Sequence, residues 1–184
     1  MGLHPWHLSD DWESRQMPEV KHLCTHPAVV ALGECGLDKV CLKSLPSDAR
    51  DAAFVRQTAA FEAHIRLSEA VGKPLVIHCV RAFNELVVLH RRHAPSQPWV
   101  VHGFRNNVNI ARMLLREDIR LSIGEKYQLP VLQEIPLECL LTETDESRMP
   151  VRDIIKSIAE VRRVTAEELS MQIAENAGKI FFQR

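Results

Sequence analysis

The chain has 184 residues, of which 46% are hydrophobic, and its formal net charge is −1. That length is enough for one domain over residues 1–184 with a buried core, and the near-zero charge excludes a global basic field that would draw the chain to nucleic acid or to an acidic membrane. No apolar run approaches the roughly 20 residues of a membrane span, and five cysteines without a CxxC pair favour reduced thiols in a cytoplasmic protein over a zinc ribbon or a disulfide framework.

The first residues, 1–7, are typical of a strand end that opens into a loop. Pro5 favours an extended conformation at the preceding His4. Almost no sequence precedes this loop, so we expect the first strand to be missing from the sequence. His4 then has two interpretations, as a residue that lines a site or as an ordinary loop histidine.

The stretch from Val29 to Asp38 predicts a buried strand followed by a carboxylate. Residues 29–32 are all apolar, which is typical of a short strand buried on both faces. Gly33 breaks this run and lets the backbone turn, so that Glu34 projects from the carboxyl end of the strand. A carboxylate in that position is costly unless it is paired or binds a metal.

The same arrangement recurs three times further along the chain. An apolar run at 74–77 precedes His78, a second at 99–101 precedes His102, and a third at 137–141 leads through 142–144 to Asp145. The carboxyl ends of all strands in a closed (β/α) barrel meet at one face, where the catalytic residues lie. We therefore expect the side chains at these four strand ends to come together.

Helical patterns separate the predicted strands. The longest helix is predicted to have Ser47 or Asp48 as its N-terminal cap, to run to about residue 71 and to have Gly72 as its C-terminal cap. His64 in this helix is interpreted as structural or exposed. The apolar stripe of the helix is predicted to contain Phe54, Val55, Ala59, Phe61, Ala63 and Ile65. Further helices are predicted within 10–26, over 83–93, after a cap at 107, over 151–161 and from a capping box at 165–168.

Strands that alternate with helices indicate a parallel sheet. Strand ends are expected near Leu3, Glu34, His78, His102, Gly124 and Asp145. Six strands fall short of the eight in a closed barrel, which typically has about 250 residues. We therefore predict an α/β fold, a TIM-barrel-like parallel (β/α) barrel that is incomplete at its N-terminus. The exposed edge of such a barrel would favour a homodimer.

Two imidazoles and two carboxylates suit Zn²⁺, Mn²⁺ or Mg²⁺, so up to two divalent ions are expected. A carboxylate can bridge two ions about 3.5–4 Å apart, and such a pair lowers the pKa of a shared water and clamps the oxygens of a phosphoryl group. A second carboxylate can take the proton from that water. The alternative is a set of turn carboxylates and hydrogen-bonded histidines, but their common position at four strand ends favours metal ligands.

Five short motifs resemble those of a known family. They are Gly33-Glu34-Cys35-Gly36-Leu37-Asp38 (GE-x-GLD), Val76-Ile77-His78 (VIH), Val101-His102-Gly103-Phe104 (H-x-F), Glu143-Thr144-Asp145 (ETD) and Gly2-Leu3-His4-Pro5 (G-[IV]-HP). In their order along the chain and at their spacing, these motifs resemble those of the TatD-type metal-dependent hydrolases (TatD DNases) among the amidohydrolase-like barrels. The resemblance extends from Gly2 to Phe182.

The resemblance implies a TIM-barrel-like fold, a dinuclear divalent-metal centre and hydrolysis of phosphodiester bonds, typically in DNA. By position in the motifs, Glu34 would bridge the two metals, and His78 and His102 would complete the shell of one. Asp145 would bind the other metal and act as the base, so Glu34 and Asp145 would both be catalytic. His4 would line the substrate side of the site.

The sequence departs from the family pattern at three places, one of which is Glu146-Ser147, where the family usually has Ala-Pro or Ser-Pro after ETD. The family opens with a His-x-His pair that is absent here, so we expect one firm metal position, at Glu34, His78 and His102, and one weak position. Val80 stands where the family often has arginine, which moves the predicted phosphate contact to Arg81.

Two other functions are compatible with the same residues. A barrel without the His-x-His pair could be a non-catalytic scaffold that binds metal. Amidohydrolase-like barrels also cleave amides and esters, and the four ligands alone do not select the bond. An assay of this chain beside one extended upstream, on DNA with added divalent metal, separates a truncated DNase, active only in the longer chain, from a scaffold, inactive in both. Because the net charge is only −1, no stable nucleic-acid complex is expected with any of them.

Overall fold

The computed structural model describes residues 1–182 and is an α/β structure in which strands and helices alternate. Within these residues the helices are α1 Trp12–Leu23, α2 Ser47–Val71, α3 Phe83–His93, α4 Val108–Arg116, α5 Leu129–Glu134, α6 Val151–Arg162 and α7 Ala166–Phe181. The strands are β1 Leu32–Asp38, β2 Leu75–Val80, β3 Trp99–Val101, β4 Arg120–Ile123 and β5 Leu140–Thr142. Single 3₁₀ turns cover Pro5–His7, Cys41–Ser44 and Leu137–Cys139.

The chain divides into two compact units, and the first contains Met1–Trp99. In this unit β1 and β2 pair in parallel, with Gly36 opposite His78 and an irregular register between Leu32 and Cys35. Apolar side chains of α1 and α2 form a buried cluster beside the N-terminal segment. The cluster contains Trp12, Met17, Val20 and Ala60, and the partly buried Leu3, Leu8, Ala63 and Leu67 pack against it. This cluster removes one face of each helix from water, which is the main stabilising term for amphipathic helices.

The second unit begins at Val100. Here β3 pairs in parallel with β4, and β4 with β5. The buried Asn176 joins α7 to β5, because its Nδ2 donates to the carbonyl oxygens of Leu137 at 2.7 Å and Leu140 at 2.9 Å. Both donors of a buried amide are thereby satisfied, so the buried polar group does not destabilise the unit.

Several helix boundaries confirm the predictions from capping residues. Helix α2 ends before Gly72, whose φ of 66° is the left-handed conformation of a C-terminal cap. The predicted N-cap at Ser47 or Asp48 is wrong, because the helix already begins at Ser47 and Pro46, which caps it, makes no side-chain hydrogen bond. The side chain of Asn107 accepts the N–H of Ile110 at the start of α4. Thr165 forms the predicted capping box at the start of α7.

The position of β1 corrects the prediction. Residues 29–31 precede the strand, and Val30 is 39% exposed, so the apolar run is not a strand buried on both faces. The strand instead continues through Glu34 to Asp38, because the parallel ladder with β2 determines which residues are extended. His78 likewise lies inside β2, two residues before its end.

Four further details differ from the sequence-based predictions. Leu3 belongs to no strand, and the predicted strand at 137–141 begins only at Leu140, after a 3₁₀ turn. Val55 is 66% exposed and Ala59 is also exposed, so both lie outside the buried face of α2. Helix α5 was not predicted, because its six residues are too few to show a period of 3.6. Within residues 1–182, none of the helices combines the length and the apolar character needed to cross a bilayer.

Candidate metal centres

Two histidines and one carboxylate form a cluster in the first unit. His4, Glu34 and His78 each offer a ligand atom, and these atoms all lie within 4.8 Å of one another. His4 Nε2 is 3.6 Å from Glu34 Oε2, and the ring centroids of His4 and His78 are 4.4 Å apart. All three side chains are partly buried. We call these residues the first ligand group.

Close backbone packing brings His4 next to Glu34. A Cβ atom added at Gly2 would lie 2.8 Å from the Cα of Gly33, so only glycine fits at this crossing. The N–H of Gly33 donates to the carbonyl oxygen of Met1 at 2.9 Å. The N-terminal segment therefore runs against β1, and the loop that follows it delivers His4 to the side chain of Glu34.

His64 on α2 holds the same segment from the other side. Its Nδ1 lies 2.8 Å from the carbonyl oxygen of Ala60 and so carries the proton, which leaves Nε2 to accept the N–H of Leu3 at 3.1 Å. The side chain is 0% exposed. Burial lowers the pKa of His64 below its usual value of 6.5, and the hydrogen bond to Ala60 only partly opposes this shift. His64 is therefore a neutral structural residue, as one of the two interpretations from the sequence had it.

The carboxylate of Asp38 orients His78. Asp38 Oδ2 lies 3.0 Å from His78 Nε2 and also accepts the indole N–H of Trp6 at 2.7 Å. Its Oδ1 accepts the backbone N–H groups of Val40 and Cys41 at 2.6 and 3.1 Å. Burial raises the pKa of Asp38, but these hydrogen bonds outweigh it and hold the pKa below its usual value. An ionised Asp38 accepts a proton-bearing Nε2, and this hydrogen bond orients the imidazole ring of His78.

A second cluster lies in the second unit. His102, Glu143 and Asp145 each offer a ligand atom, and these atoms also lie within 4.8 Å of one another. His102 Nδ1 is 3.5 Å from Glu143 Oε1, and the side chains are 11% and 18% exposed. Asp145 is more accessible, with a guanidinium nitrogen of Arg105 3.8 Å from its Oδ2. We call His102, Glu143 and Asp145 the second ligand group.

Loops at the ends of β3 and β5 place the second ligand group. The N–H of Phe104 donates to the carbonyl oxygen of Ser122 at 2.9 Å, and the N–H of Glu143 donates to that of Ile123 at 3.3 Å. Both loops are thus held against the carboxyl end of β4. Asp145 has a φ of 47°, a left-handed conformation that turns the chain immediately after the cluster.

Both groups fit a divalent cation. The donors are imidazole nitrogens and carboxylate oxygens, which Zn²⁺ and Mn²⁺ accept readily and Mg²⁺ accepts through the carboxylates. Glu143 Oε1 is buried and accepts no hydrogen bond from any of residues 1–182. A buried carboxylate oxygen without a hydrogen bond is costly unless a cation lies against it. The second ligand group therefore has the character of a metal site.

The predicted ligands are found as two pairs. Glu34 and His78 lie together in the first ligand group, and His102 and Asp145 lie together in the second. That all four meet at a single centre stays a prediction. His4, predicted on the substrate side, lies among the ligand atoms themselves. Arg81 follows β2, is exposed, has a φ of 54° and belongs to neither group. Its contact with a phosphate stays a prediction.

Two of the carboxylates described above, Glu143 and Asp38, were not predicted as functional residues from the strand ends. Glu143 precedes Asp145 by two residues, and Asp38 follows Glu34 by four. Glu34 and Asp38 both lie in β1, where side chains alternate between two faces, so their even spacing places both on the same face. That alternation was the available signal for Asp38, whereas Glu143 lies beyond the end of β5 and has no such signal.

Comparisons with known proteins agree on one family. The family model described as TatD related DNase matches residues 1–182. The uncharacterized metal-dependent hydrolase YabD of Bacillus subtilis is 30% identical over 199 residues, which cover 96% of this chain and 75% of that protein. The 3'-5' ssDNA/RNA exonuclease TatD of Edwardsiella piscicida is 33% identical over 162 residues, which cover 83% of this chain and 59% of that protein.

Among solved structures, the crystal structure of YJJV, a TatD homologue from Escherichia coli K12, is similar to the whole chain. The TM-score is 0.81 at 23% sequence identity, and the match covers 100% of this chain and 76% of that one. This similarity confirms the predicted α/β, TIM-barrel-like fold.

Proposed function

Because the chain belongs to the TatD related DNase family of metal-dependent hydrolases, we propose that it hydrolyses phosphodiester bonds in single-stranded DNA or RNA. The observation that carries this proposal is the pair of ligand groups, each of which combines imidazole and carboxylate donors within 4.8 Å. Such donor sets suit divalent cations, and divalent cations are the usual means of activating a phosphodiester toward water.

The two groups would hold the ions as follows. Glu34 and His78 would bind one ion, with His4 as a further donor, and His102 and Asp145 would bind at the second group, with Glu143 as a further donor. Bound divalent ions supply Lewis-acid chemistry, which neutralises charge on the phosphodiester and makes water more acidic.

The chain's own side chains would handle the proton and the phosphate charge. The Asp145 side chain is 34% exposed, so its carboxylate can accept the proton of the attacking water. Glu34 is the equivalent carboxylate of the first group. Arg105, which lies 3.8 Å from Asp145, can pair with a phosphate oxygen of the substrate, and Arg81 is the second candidate for that role.

The binding of substrate would be transient. The formal net charge of −1 provides no broad positive surface, so affinity would depend on the ligand groups and a few local contacts. We propose that residues 1–184 act as one domain of this family, and that the nucleic-acid chain leaves after each cleavage.

The test is a nuclease assay on metal-depleted protein. The purified chain is treated with a chelator, reconstituted with Mn²⁺, Mg²⁺ or Zn²⁺, and incubated with 5′-labelled single-stranded DNA, single-stranded RNA and duplex DNA. We expect cleavage of the single strands only with metal present. Asp145→Asn and Glu34→Gln should lower the rate by about 100-fold or more, because each removes a proton acceptor and a ligand.

Asp51→Asn is the matched control, since Asp51 is an exposed carboxylate on α2 and should leave the rate unchanged. Stoichiometric metal binding without cleavage of any nucleic acid would contradict the proposal and favour a metal-binding scaffold. Hydrolysis of a nitrophenyl ester or an anilide, without cleavage of nucleic acid, would assign the chain to amide or ester chemistry instead.

A further inference from the structure

Trp6 differs from the other tryptophans of the chain in its exposure. It lies in the 3₁₀ turn Pro5–His7 and is 57% exposed, whereas Trp12 and Trp99 are 8% and 1% exposed. An indole ring in water is costly, because most of its surface is apolar. Because the exposed ring of Trp6 lies next to the first ligand group, a role in binding would account for its exposure.

The ring of Trp6 is held in one orientation. Its Nε1 donates to Asp38 Oδ2 at 2.7 Å, and the accepting side chain is only 3% exposed. A hydrogen bond to an ionised, buried carboxylate is strong and directional. The backbone N–H of Trp6 also donates to Nδ1 of His4 at 3.2 Å, which fixes the turn that carries the ring. The indole is thus preorganised, so little conformational entropy is lost when a partner binds it.

The ring also lies next to the proposed chemistry. The centroid of Trp6 is 4.8 Å from that of His4 and 5.6 Å from that of His78, and both contacts are edge-to-face. The same oxygen of Asp38 binds Trp6 and His78. Any group stacked on the exposed indole therefore lies within one side-chain length of the first ligand group.

The chemistry of the exposed indole of Trp6 indicates which kind of group binds it. Asp38 occupies the only hydrogen-bond donor of the indole, so the ring offers a flat apolar surface and no polar group. Nucleobases stack on such surfaces whatever their sequence, but only when unpaired, since both faces of a base in a duplex are covered.

We propose that Trp6 is the stacking platform for an unpaired nucleobase adjacent to the phosphodiester that is cleaved. This inference rests on the proposed function and adds to it a substrate-contacting residue and a reason to prefer single strands. It also implies little preference among bases.

The test measures binding without turnover. A short 5′-labelled oligothymidylate is titrated with the Asp145→Asn protein, in which cleavage is slow, and a probe of the same length with abasic residues throughout is titrated in parallel. Trp6→Ala should weaken binding of the normal probe by about 5- to 150-fold, the effect of losing one base–aromatic stack. It should not change binding of the abasic probe. Trp6→Phe should restore most of the affinity, because the phenyl ring still stacks.

Val55→Ala, which truncates another exposed apolar side chain, is the control and should have no effect. Equal losses on both probes, or no loss on either, would overturn the role of Trp6 while leaving cleavage by the unmodified chain to support the proposed function. Absence of both binding and cleavage in the unmodified chain would overturn both proposals. Dissociation of an oligomer by Trp6→Ala would assign the ring to a contact between copies and would also overturn the inference.

Discussion

Asp38 and His78 are joined by a hydrogen bond between neighbouring strands, with Oδ2 of the β1 carboxylate 3.0 Å from Nε2 of the β2 imidazole. The other carboxylate oxygen is occupied by two backbone N–H groups, so the carboxylate cannot rotate away. The imidazole is thus fixed in one tautomer and one orientation before any ligand arrives. Partners of this kind commonly raise the affinity of a histidine for metal.

We therefore expect Asp38→Asn to weaken metal binding at the first ligand group. An amide has an NH₂ group in place of one carboxylate oxygen, and this group donates but does not accept. It would face either the donors of Trp6 and His78 or the backbone N–H groups that now hold the carboxylate, so His78 would be held less firmly. The expected loss is about 10- to 100-fold in affinity, measured by calorimetric titration of the metal-depleted protein.

Asp51→Asn again provides the control for removal of a negative charge. Unchanged metal affinity in Asp38→Asn, with an unchanged circular dichroism spectrum, would show that Asp38 serves only the β1 turn and the Trp6 ring.

The stability of the fold should depend on pH through His64. Its pKa in the folded chain lies below the usual 6.5, owing first to burial, with the N-terminal ammonium of Met1 as a further charge that lowers it. The unfolded chain therefore binds the proton more readily than the folded chain. The free energy of unfolding should fall as pH decreases from about 7 to about 5, since the unfolded state gains protons over this range.

Urea denaturation at several pH values measures this effect. His64→Gln should flatten the pH dependence, because glutamine does not titrate, although it should also lower stability at neutral pH by disturbing the bond to Leu3. His22→Gln, a substitution of an exposed histidine of α1, is the matched control. An unchanged slope in His64→Gln would refute the assignment.

Gly36 should tolerate no side chain. Its φ is 136°, and a Cβ atom would lie 2.2 Å from the carbonyl oxygen of His78 on the paired strand. Gly36→Ala should destabilise the fold by about 2–4 kcal/mol, from backbone strain and overpacking together. The measurement is the midpoint of chemical denaturation.

Gly178 provides the opposite case for the same substitution. It lies within α7, and nothing is within 4 Å of the position that a Cβ atom would take. Gly178→Ala should stabilise the fold by up to about 1 kcal/mol, since alanine favours the helix. Similar effects of the two substitutions would contradict the close approach of β1 and β2 at Gly36.

The capping box at the start of α7 should contribute measurably to stability. The side chain of Thr165 accepts the N–H of Glu168 at 3.1 Å, and the Glu168 carboxylate accepts the N–H of Thr165 at 2.8 Å. Thr165→Ala should lower the free energy of unfolding by about 1 kcal/mol, and Thr165→Ser should retain most of it. Thermal or urea denaturation of the three proteins would show equal stabilities if the cap contributed nothing.

Local features of the sequence determined most of the fold. The cap at Asn107, the capping box at Thr165 and the left-handed Gly72 were all predictable, because each depends on residues within one helical turn. The extent of β1 was not predictable. It is determined by pairing with β2, a partner about 40 residues away along the chain, so the apolar run at 29–31 lies outside the strand.

The sequence by itself also determined the residue types of the site, because Glu34, His78, His102 and Asp145 each follow an apolar run at or near a strand. Only the tertiary structure decided which side chains lie together. It placed His4 and Glu143 among the ligand atoms and joined Asp38 to His78 and Trp6. The physical reason is that hydrogen bonds and ligand distances depend on side-chain direction and strand register, which arise from packing between segments remote in the chain.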